Sequence, residues 1–183
     1  YSAPIYMTGE ETNDSSRVFA FDLNGNGIQL PDFGLGSWEN FLVKPGTGKN
    51  TVVMGNEDNG TKTQNVYPSQ LYMYLGTKKE TGANFAEKAG LTNGKLYTLA
   101  VKNALTDTDF RANYAINTKV PAVFNELNTN PDYTNFAKQA LGSGTTFSRI
   151  EDGEFDPKNP NVYYFVTTHT NDPASATGNL SRD

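Results

Sequence analysis

The chain contains no cysteine. That removes disulfides, thiolate metal sites and a cysteine nucleophile. It has one histidine, His169. A Ser-His-Asp triad would have to use it, and no G-x-S-x-G elbow precedes it, so a surface or strand-end histidine is the plainer reading. No G-x-x-x-x-G-K-S/T run is present, which excludes P-loop chemistry. Charge is sparse: 15 basic and 20 acidic side chains leave a net charge of -5. Without a basic patch, nucleic acid is not an expected partner. No stretch approaches the roughly 20 apolar residues that a membrane helix needs. There is no visible signal peptide, and Tyr1 stands where an initiator Met would. We therefore expect both natural ends to lie outside this chain.

What is present favours strands. Hydrophobic residues are 36% and charged residues 19% of the chain, and Gly, Asn, Thr and Ser fill the difference. Aromatics reach 12%, with 10 Tyr and 11 Phe, which argues against disorder. Ile5–Thr8, Arg17–Leu23, Ile28–Leu30, Trp38–Val43, Asn50–Met54, Gln70–Leu75, Lys95–Val101, Thr146–Arg149 and Val162–Thr168 read as strands between Gly, Asn and Pro clusters. Short strands with frequent turns predict an all-β sandwich, barrel or propeller. The stretch 103–144 differs. Pro121–Leu127 and Pro131–Leu141 have helix-like apolar spacing, and we expect a short helical insertion there, too small for its own core.

Acidic residues gather at the predicted strand ends: Glu10-Glu11, Glu39, Glu57-Asp58, Glu151-Asp152, Glu154 and Asp156. Carboxylates collected from several strands suit a hard cation such as calcium; solvated turns are the alternative. Asp22-Leu23-Asn24-Gly25-Asn26-Gly27 matches half of a calcium loop, but Phe33 stands where the bidentate acid belongs. A hairpin turn fits it better. In Arg149-Ile150-Glu151, alternation sets Arg149 and Glu151 on one face. There Arg149 could clamp a phosphate beside metal-bound carboxylates, or could simply form a salt bridge.

Five segments together resemble the PhoX-like alkaline phosphatases. They are Tyr6-Met7-Thr8-Gly9-Glu10-Glu11; Gly34 to Asn40; Val52 to Asp58 with Gln70 to Tyr74; Ala89 to Tyr97; and Phe147 to Pro157 running into Asn161 to Thr168. The resemblance covers most of the chain outside 103–144. It implies that residues 1–183 form part of one secreted or periplasmic β-propeller, with 103–144 inserted between blades. It further implies phosphomonoester hydrolysis at a mixed iron and calcium cluster. Carried over by position, Glu10, Glu39, Asp58 and Glu151 would be metal ligands and Arg149 the catalytic phosphate clamp. Two positions depart from the family pattern. Gly9 stands where the family places an iron-binding Cys, and Ile150 replaces the usual Pro. Losing a soft ligand weakens an iron site most and leaves oxygen ligands for calcium. Two functions follow as expectations: an extracellular metal-dependent phosphatase acting on small phosphomonoesters, or a non-catalytic calcium-binding surface or matrix propeller. A carbohydrate-binding sandwich using exposed Tyr and Trp38 is a third.

Overall fold

The structure is a computed structural model, and it describes residues 3–58, 68–129 and 133–168. His169 lies outside the described residues.

The first sheet holds β1 (Tyr6–Gly9), β2 (Val18–Phe21) and β3 (Gly27–Gln29), all antiparallel. The turn between β2 and β3 is the half calcium loop of the sequence, folded as a hairpin. The Asp22 carboxylate accepts the backbone N–H groups of Asn24 and Asn26, each at 2.9 Å, and the Asn26 side-chain amide at 2.8 Å. Those bonds, the Asn26 amide foremost, hold the Asp22 carboxyl below its ordinary range.

The central sheet runs up and down through β4 (Trp38–Val43), β5 (Asn50–Glu57), β7 (Leu71–Thr77), β8 (Lys95–Val101) and β9 (Ala122–Leu127). Two-strand pairs complete the β structure. One joins β6 (Pro68–Ser69) to β10 (Phe147–Ser148), and the other joins β11 (Ile150–Phe155) to β12 (Tyr163–Thr167). The helices are α1 (Phe85–Lys88), α2 (Asp107–Asn113) and α3 (Tyr133–Ser143). The chain is thus mostly β. Its described sheets are open, and none closes on itself.

Period-two alternation buries both faces of the central sheet. Val53, Tyr74, Leu96 and Leu127 are paired across four neighbouring strands and all face the larger core. Phe33 stacks on Tyr74 with ring centroids 4.0 Å apart, and Trp38 meets Tyr72 edge-on at 4.9 Å. Phe136 and Ala140 of α3 close this side. On the other face Met54 and Leu71 pack with Phe147, Ile150 and Phe155 of β10 and β11.

The stretch 103–144 differs from expectation in one half. Pro131–Leu141 lies largely within α3, but Pro121–Leu127 is not helical. Residues 122–127 pair with β8 at six successive positions, from Leu96↔Leu127 to Val101↔Ala122. The open edge of β8 offers a backbone partner at every residue. An isolated helix of under two turns cannot match that, because its nucleation goes unrepaid. The segment is woven into the central sheet. Trp38 is 1% exposed, inside the larger core, so it offers no surface for a sugar ring.

Candidate functional site

Four chain segments end at one place. The first is the tail of β1, where the Glu10 carbonyl accepts the Trp38 N–H at 3.2 Å. The second is the start of β4. The third is the end of β5, where the Asp58 N–H donates to the Ser37 carbonyl at 2.9 Å. The fourth is the junction of β10 and β11.

Two irregularities aim side chains there. Trp38 pairs with Glu57 and Asn40 with Asn56, so Glu39 is the extra residue of a bulge in β4. Likewise Ile150 pairs with Thr167 and Asp152 with Val166, which leaves Glu151 as the extra residue in β11. Bulges re-aim side chains out of the strand's alternation. Arg149 stands beside the second bulge at φ 58°, in the left-handed region that a residue with a Cβ rarely occupies. Asn40 fastens the two bulged strands, donating its amide to the Glu151 carbonyl at 3.0 Å.

Carboxylate oxygens of Glu11, Glu39 and Asp58 all lie within 4.8 Å of one another. Asp58 is 1% exposed and accepts two parallel bonds from Arg149, Nε to Oδ1 at 2.9 Å and Nη2 to Oδ2 at 2.8 Å. Glu151 sits at the edge of the group, 3.8 Å from the same guanidinium, and accepts the Thr168 hydroxyl at 2.9 Å. Burial, then the neighbouring charges of Glu11, Glu151 and Asp58, push the Glu39 carboxyl up to about 7. Only the part of this rise that comes from the neighbouring acids would be relieved by a cation; the larger part comes from burial.

The sequence-predicted residues separate here. Glu39, Asp58, Glu151 and Arg149 come together. Glu10 does not join them. Its carboxylate accepts Arg17 Nη2 at 2.7 Å, and Arg17 Nε and backbone N–H at 3.0 Å each. Glu11 takes the position instead. The signal was available, because Arg17 lies opposite Glu10 across the β1–β2 pairing and opposite charges there attract. Glu57, next to Asp58, points the other way, as alternation requires. It is buried and accepts the Gln70 N–H at 2.9 Å and the Tyr72 hydroxyl at 3.2 Å. Burial raises its carboxyl to about 8.

No family model, curated protein or solved structure matches this chain. The site must therefore be judged on its own donors.

These donors are oxygens. At Gly9, where a thiolate would be sought, an added Cβ would collide with Trp38 Cβ, with Trp38 Cγ at 2.9 Å and Phe41 Cε2 at 3.2 Å. The close approach of β1 to β4 leaves no space for any side chain. An oxygen-only set fits calcium, which accepts six to eight hard ligands in flexible geometry. It does not fit a thiolate-bound iron. Among the described residues, no helix is long and apolar enough to cross a membrane.

Proposed function

We propose that this chain is part of a secreted or periplasmic β-propeller of the PhoX-like type. In this reading it binds calcium at the Glu11–Glu39–Asp58 mouth and acts there on small phosphomonoesters. One observation carries the proposal: three carboxylates from three different strand ends meet within 4.8 Å, with a guanidinium on one of them. The up-and-down central sheet is compatible with a propeller blade.

The roles follow from position. Glu11, Glu39 and Asp58 would hold calcium, with Glu151 within reach as a fourth acid. Bound there, calcium would neutralise phosphoryl oxygens and acidify a water. Arg149, oriented by the Asp58 carboxylate, keeps a fixed positive charge at the mouth. Planar N–H donors of this kind stabilise the charge that develops on a transferring phosphoryl group. Glu39, with a carboxyl near 7, can hold or release a proton at neutral pH while no cation is bound. Thr168 and Asn40 keep Glu151 in place through its carboxylate and its carbonyl.

The non-catalytic calcium-binding reading is favoured by Gly9, where packing against Trp38 excludes the family's iron ligand. Calorimetric titration of the chain with calcium, paired with turnover of p-nitrophenyl phosphate, separates the two. Calcium binding that is lost in Glu39→Gln, with turnover lost in Arg149→Lys, supports the enzyme. Calcium binding without turnover, iron supplied or not, leaves the surface protein. No calcium binding ends both.

A further inference from the structure

The β11–β12 pair has one face in the core and one in water. Phe155, Tyr163 and Phe165 point inward, into the second core. Alternation then turns Asp152, Glu154, Tyr164 and Val166 outward. All four are exposed, Tyr164 at 59% and Val166 at 57%. They form two cross-strand pairs, Asp152↔Val166 and Glu154↔Tyr164, so each acid stands beside an uncovered apolar side chain. The acids accept only N–H groups. Asp152 takes the Gly153 N–H at 2.7 Å and the Asn40 amide at 3.5 Å, and Glu154 takes the Phe155 N–H at 2.9 Å. None of the ion pairs among the described residues includes either of them.

The sheet stops at β12, which pairs only with β11 among the described residues. The Asp156 N–H donates to the Val162 carbonyl at 3.0 Å. Backbone direction alternates along an antiparallel ladder, so Tyr164 and Val166 also turn their N–H and C=O groups to β11. Tyr163 and Phe165 turn theirs to the open side. An edge of this kind is a template for one more strand. In a strand laid antiparallel on it, the residues opposite Tyr164 and Val166 occupy non-hydrogen-bonded positions, where side chains approach most closely. Those side chains lie on the outer face. A long cationic one crosses Tyr164 or Val166 and brings its charge to Glu154 or Asp152, two strand spacings or about 10 Å away. Arginine suits this path, because its planar cation also rests well on the Tyr164 ring.

We propose that the free edge of β12 takes up an extended segment of a partner protein with arginine at alternate positions, added as an antiparallel strand. Charge complementarity selects the occupant: the outer face offers two acids without a cation, next to apolar surface that an arginine stem would cover. The inference uses none of the carboxylates of the mouth and stands apart from the calcium reading.

The test uses the full chain and fluorescein-labelled peptides, with binding read by fluorescence anisotropy. The probe is a heptapeptide in which threonine and arginine alternate. Its control has the same composition with the arginines contiguous. The alternating peptide should bind about tenfold more tightly, since cross-strand charge pairs and cation–ring contacts together contribute at that level. Backbone methylation separates strand pairing from simple charge attraction. Methyl groups on the threonine nitrogens, which would face β12, should abolish binding. Methyl groups on the arginine nitrogens, which would face away, should leave it. Glu154→Lys reverses one exposed charge outside the mouth and should weaken the alternating peptide about tenfold. Equal binding of the alternating and contiguous peptides overturns the proposal. So do equal effects of the two methylation patterns, indifference to Glu154→Lys, or an alternating peptide that does not bind.

Discussion

Arg149 is the most constrained residue of the mouth. It occupies a backbone region unfavourable for any residue with a Cβ, at φ 58°, and strain of this kind costs on the order of 1–3 kcal/mol. What holds it there is the two-pronged bond to a carboxylate that is 1% exposed. Removing the guanidinium leaves that carboxylate buried without its main partner. Arg149→Ala should therefore destabilise the chain by about 3 kcal/mol. The double variant Arg149→Ala/Asp58→Asn should lose less than the sum of the two single changes, because the second change removes the uncompensated charge. Urea unfolding of the four proteins measures this. Additive losses would mean that the pair is not coupled. The exposed Arg17–Glu10 pair, with side chains 49% and 37% accessible, has no such consequence, because water screens it.

At the scale of elements, β1 and β4 approach closely enough that only glycine fits at position 9. A cysteine introduced at position 9 should therefore not supply a metal ligand. Gly9→Cys should cost about 1–3 kcal/mol by overpacking against Trp38, lowering the melting temperature by several degrees in a chain of this size. Its thiol should react slowly with a maleimide. Unchanged stability with a fast-reacting thiol would show that β1 can move away. The elements themselves were largely legible, because strands such as Leu71–Thr77 and Lys95–Val101 are Tyr- and Leu-rich runs with alternating burial. Two things were not. Ala122–Leu127 carries a spacing that satisfies a helix as well as a strand, and only the open edge of β8, distant in sequence, decides between them. The bulges at Glu39 and Glu151 arise from pairing register, which no single strand encodes. So the sequence marks which segments bear acids, and Arg17 hints at the fate of Glu10, but which acid of each pair faces the mouth is settled only by register. Glu11 rather than Glu10, and Asp58 rather than Glu57, follow from pairing to Arg17 and to Ser37.

For the whole molecule, the mouth is a junction. Glu11 follows β1 of the first sheet, Glu39 belongs to β4 and Asp58 follows β5 of the central sheet, and Glu151 belongs to the β11–β12 pair. A cation bound there would tie three sheets together, so its binding energy would enter global stability. At a hundredfold excess over its dissociation constant, calcium should add about 2.7 kcal/mol. The pH dependence without calcium has a determined sign. Glu39 and Glu57 both have folded carboxyls raised above the ordinary 4.5, to about 7 and about 8. Between 4.5 and those values the folded chain holds protons that the unfolded chain has released, so stability falls as pH rises and levels off above about 8. The carboxyls lowered by hydrogen bonds, Glu10, Asp22 and Asp156, act only below their ordinary values and do not oppose this trend. Saturating calcium should keep Glu39 ionised and remove its share of the decline, while the share of Glu57, directed into the core, persists. Glu57→Gln should remove that remainder and stabilise the chain at pH 8 by about 2–4 kcal/mol. Thermal melts from pH 5 to 8, with calcium and with chelator, for the native chain and Glu57→Gln, resolve the two contributions. A melting temperature that rises with pH in chelator would contradict the burial of both carboxyls. A decline that calcium leaves untouched would place the cation away from Glu39.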